Sequence, residues 1–279
     1  METNVKYSHL THQKGHQMIR GLYTAAAGMV AQQKNIDVIS NNIANVNTYG
    51  FKQDRAEFQD LMYQSLNYTA GNTSADTKNP TGIDTGLGVK LASIQKNFIQ
   101  GNLNETGNTY DIAIEGDGFF QVTTATGDTA YTRNGAFKLD SDGTIVNGQG
   151  LKLEPEIVIP AELVSISIAS DGTVTGEDAS TGVSQELGQI TLANFINPSG
   201  LSPQGNSIYL ESDTSGDAIV TTPGLDGLGS LSQGFIEGSN VQLVTEMVNL
   251  ITAQRGYEAN SKAITTTDTM LQTVNALKS

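Results

Sequence analysis

The sequence predicts an α+β protein, in which an antiparallel β-rich central domain is flanked by N- and C-terminal coiled-coil helices. Three observations carry this expectation. Leu22, Met29, Ile36 and Ile43 recur every seven residues near the start of the chain, and Leu243, Leu250, Tyr257, Ile264 and Leu271 do so near its end. Between them the pattern changes to short β-branched or alternating runs broken by Gly, Asn and Asp. Charge divides the chain in the same way: of a formal −14, residues 101–240 hold 19 acids against three bases, which leaves the two flanks together at +2. The middle is the solvated part, and the ends have another task.

Taken in order, residues 1–17 are polar and are expected to be a disordered leader, with Met18 the functional start. This stretch has neither the apolar run nor the small-residue cleavage site of a secretory signal. Residues 18–50 and 238–279 make up the expected terminal coiled-coil domain. The first helix, widened by Ala25, Ile39 and Val46, runs to about residue 47 and stops in Asn41-Asn42-Ile43-Ala44-Asn45-Val46-Asn47-Thr48-Tyr49-Gly50. There Asn and Gly supply side-chain caps and left-handed φ angles. Residues 51–97 form a connecting segment. Phe51 to Tyr68 is mildly amphipathic, and Thr69 to Gly88, rich in Gly, Thr, Asn and Asp, is expected to be a long loop or ribbon. Residues 98–237 form the β domain, where Ser141-Asp142-Gly143-Thr144 and Ser170-Asp171-Gly172-Thr173 are near copies of a tight hairpin turn. At Ser239-Asn240-Val241-Gln242 a capping-box pattern opens the second helix, whose stripe is widened by Val244, Met247, Val248 and Ile251.

Composition narrows the chemistry. There is no Cys, and His9, His12 and His16 all lie ahead of the patterned chain. That removes Ser-His-Asp and Cys-His nucleophiles, His or Cys metal sites and redox dithiols from the patterned part. The acidic balance argues against nucleic acid and anionic lipid, and no apolar run reaches transmembrane length. Asp140, Asp142 and Asn147 miss the spacing of a calcium loop, and Gly116-Asp117-Gly118 lacks the third glycine of a dinucleotide motif. Paired carboxylates remain, with Glu115/Asp117 and Glu154/Glu156 as nominal candidates for an envelope hydrolase or carbohydrate-binding β protein. In a region this acidic such pairs are expected by coincidence. Arg133 and Arg255 read as structural ion-pair donors. No catalytic, metal or cofactor-binding residue is assigned, and no cofactor is expected. The helix seams are expected to close between molecules, because a two-helix hairpin buries too little apolar surface alone.

The ordered motifs then resemble those of the axial proteins of the bacterial flagellar rod and hook. The matching stretches are Leu22-Tyr23-Thr24-Ala25 to Gly28-Met29, and Ser40 to Lys52 with Asn41, Asn42, Asn45, Gly50 and Phe51. Further matches are Gly101-Asn102-Leu103, Asp111 to Phe120 with Gly116, Gly118, Phe119 and Phe120, and Tyr131-Thr132-Arg133-Asn134-Gly135-Ala136-Phe137. Gly234 to Val241, Glu246-Met247-Val248 and Arg255 to Lys262 complete the set. Phe58 to Gln64 through Thr85 to Val89 is similar to the extra stretch of distal rod members, and the length suits them better than hook subunits. Gly256 departs from the pattern, since relatives carry a better helix former there, and a bend is one reading of it.

The resemblance implies a structural subunit of the distal rod and not an enzyme. It would polymerise with itself into a hollow helical drive shaft that transmits torque from motor to hook, its helices packed as concentric coiled-coil layers. Implied partners are other rod proteins, the hook protein, the P and L rings where a Gram-negative envelope surrounds the rod, and the flagellar type III export apparatus. Localisation would be the basal body within the cell envelope, reached without a cleaved signal. Proximal rod and hook-type proteins are the alternatives within the family.

Overall fold

The computed structural model describes residues 2–67, 72–74, 77–78, 83–178, 182–225 and 227–276, with side chains from residue 20 onward except 65–83, 179–181 and 226. The chain forms two compact units. One comprises Met1–Asn41, Asp54–Gln95 and Val244–Ser279; the other comprises Asn42–Gln53 and Lys96–Leu243. This partition differs from the expected boundaries in two places. The connecting segment sorts with the helices, and residues 42–53 sort with the β domain because Lys52 is buried there against Glu237.

In the first unit, α1 spans Glu2–Ala44 and α2 spans Leu243–Ala276. The backbone of α1 thus starts at Glu2, where a disordered leader was expected. The physical reason is permissive sequence: no proline lies between Glu2 and Gly50, and Gly15 alone among residues 2–17 is a poor helix former of that kind. The connecting segment forms strands. Asp54–Asp60 pairs antiparallel with Val89–Lys96, and Tyr63–Asn67 with Ile83–Gly86. Asn72–Ser74 pairs with Thr77–Lys78. This is the ribbon alternative, drawn out as a series of two-stranded ladders; residues 68–71, 75–76 and 79–82 of the expected loop lie outside the described residues.

The second unit is built on a nine-stranded antiparallel sheet. Its central strand, Phe119–Thr123, pairs with Thr129–Thr132 on one side, and on the other with Lys152–Glu154 and Leu192–Asn194 end to end. Alternation along that strand sends neighbours to opposite faces. Phe120 enters the main core with Ile112, Phe137, Leu153, Ile190 and Leu192, stacking edge-on against Phe137 at 5.2 Å. Phe119 enters a second cluster with Tyr131, Phe195, Leu201 and Tyr209.

The two Asp-Gly turns close hairpins, as their sequences require. In one, Asp140 N–H donates to Thr144 O and Gly143 N–H to Asp140 O; in the other, Ala169 N–H donates to Thr173 O and Gly172 N–H to Ala169 O. Gly143 and Gly172 have φ of 77° and 86°, in the left-handed region that favours glycine. Each glycine carbonyl then accepts a backbone N–H from an isoleucine further along, Ile159 or Ile190, at 2.8 Å. The turns are equivalent in bonding as well as in sequence. The β-branched run Ile157-Val158-Ile159 forms no strand, and Val158 makes a single bridge to Thr144.

Tyr131 in the second cluster yields a prediction. Burial, followed by the nearby Glu211 carboxylate, pushes its phenol from 10.0 up to about 12. Because the folded value is the raised one, the protonated phenol's contribution to stability is complete below pH ~10 and is lost as pH climbs through about 12. Alkaline spectrophotometric titration is expected to show a late tyrosine step near pH 12 that Tyr131→Phe removes. A wild-type titration without a late step would contradict it.

Candidate functional site: the helix faces and the buried ion triad

In the first unit the two helices meet where side chains are small. A Cβ placed on Gly28 would lie 2.8 Å from Asn260 Nδ2, and one on Gly256 would lie 3.3 Å from Gln32 Cδ. Numbering runs in opposite directions along this contact, so the helices are antiparallel. A second face of α1 is covered by the ribbon: a Cβ on Gly88 would stand 3.1 Å from the Ala27 Cβ. Ala25, Ala31, Val38 and Ile39 are accordingly buried. The expected seam residues Leu22, Met29, Ile36 and Ile43 are half-buried, and Ala25 and Ile39, which widen that seam, are among the buried positions.

On α2 the seam residues divide. Leu250, Ile264 and Leu271 are half-buried on the face that carries buried Glu246 and Ala253, whereas Leu243 and Tyr257 are exposed. Heptad spacing marked the large side chains. The positions that let the helices approach are the small or polar Ala253, Gly256 and Asn260, which carry no hydrophobic signal. Gly256 sits inside the continuous helix Leu243–Ala276, and what it accommodates is the Gln32 side chain. Gly256→Ala is therefore expected to stabilise the helix by up to ~1 kcal/mol, since flexible Gln32 can shift. Gly28→Leu is expected to cost ~1–3 kcal/mol through overpacking against Asn260. Thermal melts followed by helical circular dichroism distinguish the two signs.

α2 also carries an apolar stripe that nothing among the described residues covers. Val244, Met247, Val248 and Ile251 are 75%, 51%, 57% and 51% exposed at spacings of three, four and seven residues, which is one helix face. These residues widened the expected seam; in the structure they form a face of their own.

The second unit is organised around a buried ion triad. Glu237 is 1% exposed, and its carboxylate receives Lys52 Nζ at 2.8 Å, Arg133 Nε at 2.8 Å and the Gly101 N–H at 2.8 Å. Lys52 also donates to the carbonyls of Phe98 and Ile99, and Arg133 to those of Gly116 and Gly118. Burial pushes the Lys52 amine below its ordinary value, and Glu237 opposes that shift. Arg133 is thus an ion-pair donor, as its sequence context predicts. Arg255 is exposed and has no ion pair among the described residues.

Three glycines of the sequence motifs serve the same hub. Gly50, with φ of 66°, donates its N–H to Glu237 O and lies too close to the Asn134 backbone for any Cβ. Gly116 and Gly118, with φ of 118° and 132°, present their carbonyls to Arg133, and the Ile112 carbonyl fills the space beside Gly135. Asn42 is buried, Asn45 accepts the Thr48 hydroxyl at 3.1 Å, and Phe51 lies beneath the Lys96 ammonium at 5.2 Å. Asn41 reaches Asp54 at 3.1 Å within the first unit. Lys52 and Glu237 each stand inside a separate motif of the sequence, and nothing local pairs them. A lone buried-type charge in each motif was the available signal.

The nominal carboxylate pairs are otherwise engaged where they engage at all. Glu154 accepts the Thr129 hydroxyl and Glu156 pairs with Lys152 at 2.7 Å. No helix among the described residues is long and apolar enough to cross a membrane.

Three family models match the chain in order: "Flagella basal body rod protein" over residues 22–52, "Flagellar hook protein FlgE/F/G D1 domain" over 113–176, and "Flagellar basal body rod FlgEFG protein C-terminal" over 232–277. The chain is similar to the flagellar basal-body rod protein FlgG of Buchnera aphidicola subsp. Schizaphis graminum, at 46% identity over 93% of this chain and 100% of the relative. It is also similar to FlgG of Caulobacter vibrioides, at 45% identity over 94% and 100%. The hook protein FlgE of Escherichia coli is more distant, at 26% identity over 91% of this chain. With identity of this level along almost the whole length, the chain belongs to the flagellar basal-body rod protein FlgG family.

Proposed function

We infer that this protein is a structural subunit of the distal rod of the flagellar basal body, polymerising into a hollow helical shaft that carries torque from motor to hook. The observation that carries the reading is similarity to rod proteins over more than nine-tenths of the chain, joined to an uncovered apolar face on a terminal helix. Such a face needs a neighbour, and a repeated heterologous contact that does not close generates an open tube. On this reading Leu22, Met29, Ile36 and Ile43, with Leu243, Leu250, Tyr257, Ile264 and Leu271, contribute to packing between subunits as well as within them.

The finer assignments follow from the same reading. Neighbours along the axis would be other rod proteins and the hook protein, with the P and L rings around the shaft where an outer membrane is present. Export would proceed by the flagellar type III apparatus without a cleaved signal, and the protein would perform no catalysis. Deleting the gene in its own host tests this: cells are expected to lose hooks and swimming, and basal bodies isolated from the parent are expected to contain the protein by mass spectrometry. Hooks assembled in the deletion strain would overturn the assignment.

A further inference from the structure

The chain contains two Asn-Gly sequences, and the fold treats them differently. Asn147-Gly148 opens the hairpin loop between Ile145–Asn147 and Lys152–Glu154. Its side-chain Oδ1 accepts two backbone N–H groups, from Gln149 and Leu151, both at 2.9 Å. Gly148 is exposed, a Cβ there would meet nothing within 4 Å, and its N–H makes no hydrogen bond among the described residues. Asn134-Gly135 lies instead in the wall of the core. Asn134 Oδ1 accepts one N–H, from Ala136 at 3.1 Å, and the Gly135 carbonyl is held by Ile112 and Phe137. The Ile112 carbonyl occupies the space beside Gly135, leaving that backbone no room to swing.

We propose that Asn147-Gly148 is a self-modification site, at which the folded protein deamidates Asn147 through a cyclic imide while sparing Asn134. The Gly148 nitrogen, deprotonated by hydroxide, attacks Asn147 Cγ. A nitrogen–carbon bond forms, the bond from Cγ to Nδ2 breaks, and ammonia leaves with a proton from water. Water then opens the imide at either carbonyl, giving an aspartyl or an isoaspartyl linkage at position 147; water is the only co-reactant. The charge that develops on Oδ1 during attack falls where two N–H donors already point, the arrangement that stabilises an oxyanion. The missing Cβ on Gly148 leaves the nucleophile unhindered and its backbone free to turn. The four Asp-Gly sequences are poorer candidates where the glycine N–H is already committed, as at Gly143 and Gly172. The aspartyl product keeps both N–H donors and strengthens them with a full charge. It adds one carboxylate to a chain of formal charge −14. The isoaspartyl product lengthens the backbone inside a short loop.

Trypsin separates the two sites, because cleavage after Arg133, Lys138 and Lys152 yields peptides 134–138 and 139–152. The folded chain and a urea-denatured control are incubated at mildly alkaline pH and mapped by mass spectrometry. The expected result is conversion of peptide 139–152 in the folded chain with 134–138 unchanged, and conversion of both in urea. Gly148→Ala, placed where space is open, is expected to slow the folded reaction about tenfold or more by crowding the attacking nitrogen. Equal conversion of the two peptides in the folded chain, or no conversion of 139–152 while the urea control converts, would overturn the proposal.

Discussion

Glu237→Ala is expected to destabilise the β unit by ~3–5 kcal/mol, enough to unfold much of it at physiological temperature. The wild-type arrangement sets two buried cations against one buried carboxylate, and the excess charge is dispersed over the carbonyls of Phe98, Ile99, Gly116 and Gly118. Removing the carboxylate leaves Lys52 and Arg133 facing each other in a buried site without a counter-charge. Lys52 can escape by losing its proton, because burial already lowers its pKa, but an arginine cannot. Lys52→Met should therefore be much milder than Glu237→Ala, and the double variant Lys52→Met/Glu237→Ala should not recover stability, since Arg133 remains orphaned. Denaturant titrations of the three variants give the comparison. A Glu237→Ala variant within 1 kcal/mol of wild type would show that the carbonyls alone neutralise the site.

The triad also marks where sequence reading stopped. Periodicity of seven and of two placed both helices, the β unit and its two Asp-Gly hairpins, because each is a local pattern. Gly50 was legible as a glycine suited to a left-handed φ, whereas Gly116 and Gly118 stood out only as motif glycines. What their φ angles serve was not legible, because Lys52, Arg133 and Glu237 are separated by up to 185 positions. Ion pairing over such a distance leaves no period to detect. The strands of residues 54–67 were illegible for a different reason: Phe51 to Tyr68 alternates weakly, and its large residues Met62 and Tyr63 are exposed, so neither period dominates. On the helices, large apolar residues drew the seam, while the contact itself rests on Ala253, Gly256 and Asn260. A pattern built on hydrophobicity passes over positions chosen for being small.

Val248→Asp is expected to abolish polymerisation while leaving the isolated subunit as stable as wild type. Val248 is 57% exposed in the single chain, so an aspartate there remains hydrated and makes no new demand on folding. In a packed shaft the same carboxylate would be stripped of water against the apolar residues of a neighbour. An effective cost of ~4 kcal/mol per added subunit would raise the concentration needed for growth about a thousandfold. Leu250→Asp is the informative contrast, because Leu250 is half-buried on the face that packs within the chain. That variant should lower helix stability and block assembly together, whereas Val248→Asp should separate the two. Helical circular dichroism and thermal melting report on the subunit; electron microscopy of basal bodies from a complemented deletion strain reports on the rod. Rods of normal length built from the Val248→Asp protein would mean that the stripe of Val244, Met247, Val248 and Ile251 lines a solvent-filled surface of the shaft, and that the subunits meet through other faces.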